Sequence, residues 1–302
     1  MNQFGYCCIN LHLQETEKVT TNRTMRKATF LKKGLSYVSE LTLSNVRGLK
    51  RLVTWNNENN IKVFRASSDM VPWASEYDWS DLPDIEEIKS VLAETGKIAS
   101  EAGQRLSFHP GPFNCLTSKN PRAVENAVKD LTVHGDLMDM LGQPRDHRAK
   151  INIHIGGAYG DRGSAIKRWV KNFRLLPESV KSRLTIENDD RPNLYSVKML
   201  YDGVYKELGV PIVFDSLHFE CGPQDQTYKE AIDTAVSTWP TGIRPVCHHS
   251  NSRKLYEDDT KMYKAHSDYY YTPFDSCGHS VDVSLEAKAK ERALLDYRQK
   301  FC

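Results

Sequence analysis

Short β-rich runs alternate with longer segments of helical period along the whole chain, and this alternation constrains the fold more than any other feature. Eight runs have the length and composition of strands, and helical segments lie between them. Such a pattern is typical of βα units that build a parallel sheet. Eight alternations within 302 residues favour a TIM barrel over an open doubly wound sheet. We therefore predict an α/β fold with a single barrel domain over residues 1–302.

The pattern also predicts where each element lies. The predicted strands are residues 4–10, 61–67, 105–109, 150–156, 183–188, 211–216, 244–249 and 280–286. The predicted helices are residues 34–58, 84–103, 119–141, 162–176, 193–208, 227–238 and 286–300. Residues 250–279 follow the seventh strand and should form a long loop, and long loops in compact domains often have a function.

Composition excludes several classes of protein. With 41 basic and 39 acidic residues the net charge is +2, so an anionic partner would need a local basic patch. No apolar run approaches the length of a bilayer span, and the first residues lack the order of a signal peptide. Neither a GxGxxG nor a GxxxxGK[ST] motif follows a strand, so no nucleotide cofactor is expected. We expect a cytoplasmic, monomeric protein whose seven cysteines are free thiols.

Nearly every predicted strand ends at a residue that can bind a metal or an anion. These residues are Asn10, Arg65, His109, His154, Glu187, Asp215, His248 and Glu286. His218 follows shortly after Asp215 and can join them. One histidine at a strand end is usually structural, so the prediction depends on the joint pattern. In a barrel the carboxyl-terminal strand ends share one face, where these side chains would meet. The sequence therefore predicts a metal cluster on that face.

The kinds of ligand suggest a metal and a reaction. Imidazoles and carboxylates suit borderline or hard divalent ions such as Mn²⁺, Zn²⁺ and Fe²⁺. There are more candidate ligands than one ion needs. Ions about 3.5–4 Å apart are a common device for phosphodiester hydrolysis. The sequence therefore favours a metal-dependent phosphodiesterase.

Two other segments have two interpretations each. Residues 22–33, "NRTMRKATFLKK", hold five basic residues and fit either a phosphate-contacting segment or a solvated loop. Residues 267–274, "SDYYYTPF", could stack on bases or pack as a tyrosine-rich loop.

An ordered set of motifs resembles the UV damage endonuclease family. The motifs are "GYCCIN", "FRASSDMVPWAS", "FHPGPF", "NIHIGGAYGDR", "LTIENDD", "IVFDSLHF", "VCHHS", "AHSDYY" and "LEAKAKERALL". Single motifs such as "HPG" are weak, but the ordered set covers almost the whole chain and is specific. The resemblance implies a TIM barrel of endonuclease IV-like architecture that acts on damaged double-stranded DNA.

The resemblance also implies a cofactor, a reaction and a set of site residues. Two or three divalent ions are expected at the barrel mouth, Mn²⁺ first, with Zn²⁺, Mg²⁺ or Fe²⁺ as alternatives. The enzyme would nick the DNA strand on the 5′ side of cyclobutane dimers, (6-4) photoproducts and abasic sites, leaving a 3′-hydroxyl and a 5′-phosphate. Glu187, Asp215, His218 and Glu286 would be both ligands and catalytic residues. The further implied ligands are Glu76, His109, His154, His248 and His266.

Two residues depart from the family pattern, and one of them is an implied ligand. Glu76 stands where the family commonly has a histidine, and a carboxylate differs from imidazole in charge and hardness. Val246 stands where some members have a lysine that can be modified to a carboxylate-like group.

The resemblance further implies residues that contact DNA. Pro112 and Phe113 would enter the duplex beside the lesion, where the family commonly has Gln and Tyr, and Tyr6 with Asn10 would assist them. The other expected DNA contacts are Arg23, Arg26, Arg65 and Tyr159. A damaged base pair stacks and pairs poorly, so extruding it costs less than extruding an intact one.

Two other kinds of enzyme remain as alternatives. A xylose-isomerase-like sugar isomerase or epimerase also gathers His, Glu and Asp at strand ends, but it needs neither a basic segment nor an exposed aromatic residue. An AP endonuclease IV-like nuclease would use the same kind of metal chemistry as a UV damage endonuclease but would act on a different DNA lesion. A non-catalytic binder of damaged DNA would not explain so many candidate ligands on one face.

Overall fold

Eight parallel strands surround one polar interior in the computed structural model, which describes residues 2–302. The strands are β1 (Gln3–Cys8), β2 (Val63–Ala66), β3 (Arg105–Ser107), β4 (Ile151–His154), β5 (Leu184–Glu187), β6 (Ile212–Asp215), β7 (Val246–His249) and β8 (Asp282–Leu285). Strands β5 to β8 are buried at every residue, as expected when helices cover the outside of a parallel barrel.

The order of the strands confirms the predicted TIM barrel. Neighbouring strands pair in parallel in the order β3-β2-β1-β8-β7-β6-β5-β4. The two end strands meet through a parallel bridge between Phe108 and Ile151. Across it, the Phe108 main-chain N–H donates to the Lys150 carbonyl at 3.0 Å, and the Asn152 N–H donates to the Phe108 carbonyl at 2.9 Å. These bonds close the ring between β3 and β4.

Within residues 2–302, twelve α-helical segments lie between or after the strands. They are α1 (Leu11–Glu17), α2 (Lys27–Glu58), α3 (Ile85–Glu101), α4 (Pro121–Met140), α5 (Arg162–Phe173), α6 (Glu178–Lys181), α7 (Val197–Leu200), α8 (Lys206–Leu208), α9 (Ser216–Cys221), α10 (Tyr228–Ser237), α11 (Arg253–Tyr256) and α12 (Lys290–Phe301). A π-helical turn, Tyr201–Tyr205, joins α7 to α8, and short 3₁₀ helices span Ala74–Glu76, Trp79–Asp81 and His147–Ala149.

The predicted helices are present, but some of their ends differ. Helix α2 begins at residue 27 rather than 34, and Gly34 breaks it with φ 65° and ψ −161°. A non-glycine residue would be strained at that φ, so the backbone can bend there only because position 34 has no Cβ. The last helix begins at residue 290 rather than 286, since residues up to 285 belong to β8.

Local sequence explains several helix starts. The Asn120 side chain accepts a hydrogen bond from the Arg122 N–H ahead of α4, and Pro121 occupies the first helical position. In α10 the Thr227 and Glu230 side chains form a reciprocal capping box. These helices therefore begin at residues that supply the partners their first N–H groups need.

The amino-terminal end of the barrel is closed by a cation, Arg105, whose side chain is 11% exposed, and by its partners. Arg105 of β3 donates to Asp282 of β8 at 3.0 Å and to the carbonyls of Arg244 and His147, both at 2.6 Å. Its guanidinium also lies 5.3 Å from the centre of the Trp239 ring. A functional site can therefore form at the opposite, carboxyl-terminal end of the barrel.

No helix within residues 2–302 is both long and apolar enough to span a bilayer.

Candidate metal centre

Glu187, the last residue of β5, lies at the centre of a cluster of imidazoles at the carboxyl-terminal end of the barrel. Its side chain is almost wholly buried. One carboxylate oxygen lies 3.0 Å from His109 Nε2. The other lies 3.3 Å from His218 Nδ1 and 3.2 Å from His248 Nδ1. Four separate strands or their following loops therefore deliver side chains to one buried cluster.

Two groups of three residues in this cluster could each hold a metal ion. His109, His154 and Glu187 form one group, and Glu187, Asp215 and His248 form the other. Within each group the candidate ligand atoms lie within 4.8 Å of one another. Because Glu187 belongs to both groups, it can bridge two ions. Mixed imidazole and carboxylate donors suit borderline divalent ions.

The hydrogen bonding of Asp215 shows that the donor set fits a cation. Its Oδ1 accepts a bond of 2.7 Å from the His218 N–H at the start of α9. Its Oδ2 is buried and has no hydrogen-bond partner among the described residues. A buried carboxylate oxygen without a partner is costly unless an ion or water meets it. The residues present therefore fit a bound divalent cation.

Glu286, which follows β8, forms a second carboxylate position in the same mouth. It pairs with the guanidinium of Arg65 on β2. It also lies 3.1 Å from His248 Nδ1 and 3.9 Å from His266 Nδ1. His266 comes from the long segment after β7. An antiparallel bridge pairs His266 with Ser252, which lies shortly after the end of β7.

The surroundings keep the two central carboxyl groups ionised. Burial by itself would raise the pKa of Glu187, but the surrounding imidazoles outweigh it and hold that pKa well below its usual range. Burial also opposes ionisation of Glu286, and Arg65 with His248 and His266 outweighs it, so its pKa is lowered too. Both groups are therefore available as anionic ligands at neutral pH.

The histidines divide into two kinds. Burial lowers the pKa of His248 to about 4 and also lowers the pKa of His109. In His218 burial is opposed by Asp215 and Glu187, which raise the pKa well above its usual value. In His154 burial is likewise outweighed, by Glu187 and Asp189, and the pKa is raised. Burial therefore favours the neutral form of two imidazoles, whereas neighbouring carboxylates favour the protonated form of the other two.

Three polar residues of the centre were not predicted from the sequence. Asp189 Oδ1 lies 3.2 Å from His154 Nδ1. Asn152 donates to Glu187 and accepts from Thr185 at 2.8 Å. Lys150 lies beside His248, and burial lowers its pKa to about 7. For Lys150 and Asn152 the signal was the period of two along β4, which puts 150, 152 and 154 on one face.

The two positions that depart from the family pattern lie outside this arrangement. Glu76 is exposed in the 3₁₀ helix Ala74–Glu76 and lines a surface cleft with Lys129 and Asp136 of α4. It belongs to neither group of candidate ligands. Val246 is buried against Val213 and Trp239. The structure thus does not bring Glu76 to the centre.

The expected DNA contacts include several accessible side chains. Phe113 is 92% exposed, next to the exposed Pro112, and both lie in the loop after β3. Tyr159, in the loop after β4, is 47% exposed and has a positive φ of 52°. Arg23 and Arg26 are exposed before α2. All of these segments follow strands at their carboxyl-terminal ends, on the same side of the barrel as Glu187.

Tyr6 and Asn10 are placed differently from what the sequence predicted. Both are buried, at 0% and 1% exposure. Tyr6 donates to Asn56 Oδ1 at 2.8 Å and accepts from Asn10 Nδ2 at 3.1 Å. Asn10 Oδ1 caps α1 by accepting from the Leu13 N–H at 2.9 Å. The structure thus places both side chains in the core, with their polar atoms paired to one another, to Asn56 and to the start of α1.

The fold and the centre together define a class: a TIM barrel with a histidine and carboxylate centre at its mouth, suited to divalent metal ions. Within that class the chain belongs to the UV-endonuclease UvdE family, whose model matches residues 2–301.

Individual relatives support this membership. The chain is 33% identical to the UV-damage endonuclease of Schizosaccharomyces pombe, over 99% of this chain and 50% of that protein. It is 32% identical to the UV DNA damage endonuclease of Bacillus pumilus, over 97% of this chain and 92% of that protein. The crystal structure of SacUVDE superposes with a TM-score of 0.84 and 26% identity, covering 99% of both chains. The chain spans about half the length of the first curated relatives it matches.

Proposed function

We propose that this protein is a metal-dependent endonuclease that nicks damaged double-stranded DNA immediately 5′ of UV photoproducts. Cyclobutane pyrimidine dimers and (6-4) photoproducts are the proposed lesions, with abasic sites as a second class. The products are a 3′-hydroxyl and a 5′-phosphate. The observation that carries the proposal is the pair of candidate metal sites sharing Glu187, in a chain of the UvdE family.

The proposed ligands form two groups that would each hold one ion, and a third set of side chains surrounds them. His109, His154 and Glu187 would hold one divalent ion, and Glu187, Asp215 and His248 a second. His218, His266 and Glu286 complete the mouth. Bound ions would polarise the scissile phosphate and lower the pKa of water for attack on phosphorus. We propose Mn²⁺ as the ion, because it accepts both imidazole and carboxylate donors.

The protein's own groups prepare the site for a phosphate. Glu187 and Glu286 stay ionised and so bind cations at neutral pH. The Arg65 side chain reaches Glu286 within the mouth, where its positive charge would attract a phosphate oxygen. Arg23 and Arg26 are exposed on the same side of the barrel and would contact the DNA backbone further from the cut.

Selection of the lesion would depend on shape rather than on one base. Dimers and photoproducts share poor stacking, so the duplex opens at lower cost at the lesion. Phe113 offers an exposed apolar ring on the short Pro-Gly-Pro turn after β3. An apolar side chain of this kind can occupy the space that an extruded base leaves.

The test is cleavage of a 5′-labelled duplex that contains one thymine dimer. With Mn²⁺ we expect a single cut immediately 5′ of the dimer and none in the undamaged duplex. Chelation, or the substitution Glu187→Gln, should abolish the cut. Glu178→Gln, at an exposed glutamate of α6 near the opposite end of the barrel, is the matched control and should cleave normally. Failure to cleave any damaged duplex, together with turnover of a ketose, would favour a sugar isomerase or epimerase instead.

A further inference from the structure

Lys150 is a lysine enclosed inside the barrel. It immediately precedes β4 and is 1% exposed. Its side chain lies on the same face of the strand as Asn152 and His154, so it enters the polar interior below the candidate metal centre. Burying an amine is costly unless its contacts repay the loss of water. The group that the Lys150 amine contacts therefore indicates the role of this lysine.

That partner is the ring of His248. Lys150 Nζ lies 3.1 Å from His248 Nε2. The other ring nitrogen, Nδ1, lies 3.2 Å from a Glu187 oxygen and 3.1 Å from a Glu286 oxygen. His248 itself is fully buried. Lys150 thus occupies the nitrogen on one side of the ring, while the nitrogen on the other side faces the two central carboxylates.

Lys150 differs in its contacts from the buried arginines of the fold. Arg183 is also fully buried, but it donates to main-chain carbonyls, including those of Gln143 at 2.7 Å and Ser179 at 2.9 Å. Those bonds hold the backbone together. Among the described residues the hydrogen bond of the Lys150 amine is to His248, so it fixes a side chain of the centre rather than a loop.

We propose that Lys150 is a positioning residue that fixes the His248 ring with Nδ1 directed at Glu187 and Glu286. This role rests on the proposed metal centre. A histidine ring free to rotate about its χ angles would present either nitrogen, or neither, to the site. Groups that hold the second nitrogen of a histidine in a metal site typically change metal affinity by about 10–100-fold when they are removed.

Two substitutions of similar size separate positioning from charge. Lys150→Gln removes the charge and keeps an amide that can still hydrogen-bond to Nε2, whereas Lys150→Met removes both the charge and the hydrogen bond. The equilibrium binding of Mn²⁺, measured by the loss of the free-ion EPR signal, should weaken about 10–100-fold in Lys150→Met. Lys150→Gln should stay close to wild type. The control is Lys62→Met, because Lys62 also immediately precedes a strand but donates to the Ala102 carbonyl at 2.8 Å.

The outcomes are distinct. Equal Mn²⁺ affinity in wild type, Lys150→Met and Lys150→Gln would overturn the positioning role alone. Tighter binding in both variants would also overturn it, since the lysine would then act only by repelling the ion. A wild-type protein that binds no divalent ion would refute the metal centre itself and this role with it. Should Lys150→Met fail to fold by circular dichroism, Lys150→Leu is the second apolar variant, judged by the same Mn²⁺ measurement.

Discussion

At the scale of single residues, Glu187 is the group on which the centre depends. Its two oxygens contact imidazoles from three different parts of the chain. These imidazoles and His154 together outweigh the effect of burial, so the carboxylate remains charged although it is almost wholly buried. Asp189 and Asn152 act one step further out, by fixing His154 and Glu187 themselves. A chain of polar contacts therefore holds the ligand atoms before any ion binds.

The raised pKa values of His154 and His218 predict that metal binding releases protons. Both imidazoles hold protons to higher pH than a free histidine, whereas a ligand nitrogen must be deprotonated. Glu187 and Glu286 are already ionised and release none. Mn²⁺ affinity should therefore fall as the pH is lowered from about 8 to about 6. Calorimetric titrations in two buffers of different ionisation enthalpy measure the protons released, and identical heats in both would contradict the prediction.

Phe113 gives a prediction about specificity. Because its ring is almost wholly exposed, it contributes little to the folded core but can stack in an opened duplex. Phe113→Ala should reduce the preference for damaged over undamaged duplex by about 1–3 kcal/mol. Competition binding measures that preference, with metal content measured alongside. Leu175→Ala, at a 60% exposed leucine near the opposite end of the barrel, is the control. An unchanged preference in Phe113→Ala would remove the residue from lesion recognition.

At the scale of elements, the junction between β6 and α9 shows how a local structure positions ligands. Asp215 ends the strand and caps the helix, and His218 lies one turn later in that helix. The cap uses one oxygen of Asp215 and leaves the other buried without a partner among the described residues. One short segment thus both stabilises a helix start and supplies two polar side chains to the site.

The contact between α3 and the end of α4 yields a prediction about stability. A Cβ on Gly96 would lie 1.6 Å from the main-chain oxygen of Leu141. Gly96→Ala should therefore force the helices apart and cost about 1–3 kcal/mol or more of the free energy of unfolding. Gly163 of α5 is the matched control, since a Cβ there would have its nearest contact, Asp161 Oδ1, 3.5 Å away. Gly163→Ala should be neutral or stabilising by less than about 1 kcal/mol. Urea denaturation measures both, and equal midpoints for the two variants would contradict the expectation.

At the scale of the whole molecule, the barrel brings distant parts of the sequence to one point. His109 and Glu286 are separated by most of the chain, yet both lie within one mouth, because parallel strands present their carboxyl ends on the same side. The opposite end is closed by Arg105 and its partners on β8 and the neighbouring loops. The fold thus separates a closed, structural end from an open, chemical one.

This arrangement predicts that divalent ions stabilise the entire fold. The ligands come from strands spread around the ring, so the site exists only when the barrel is complete. An ion that binds the folded state alone stabilises it by about 2.7 kcal/mol at a free concentration 100 times its Kd. Addition of a chelator should lower Tm by several degrees, and excess Mn²⁺ should restore it. The same Tm in both conditions would show that the ions do not bind with useful affinity.

Much of the fold and of the centre was predictable from the sequence. The period of alternation placed all eight strands, and the strand ends identified His109, His154, Glu187, Asp215 and Glu286. The direction and the partners of a side chain could not be predicted in the same way. Tyr6 and Asn10 are polar residues near a strand end, but they pair with each other and with Asn56 inside the core. Helix α12 also begins later than its composition suggests.

Strand periodicity and ligand types are local properties of the chain, so they were enough to predict the barrel and a metal-binding mouth. Which polar groups share a contact, by contrast, depends on how the folded chain brings them together. It assigned Lys150 to His248 and Asp189 to His154, paired Arg65 with Glu286, and left Glu76 at the surface. Hydrogen bonds and ion pairs act over only a few ångströms. Such distances between residues far apart in the chain exist only after the barrel has closed.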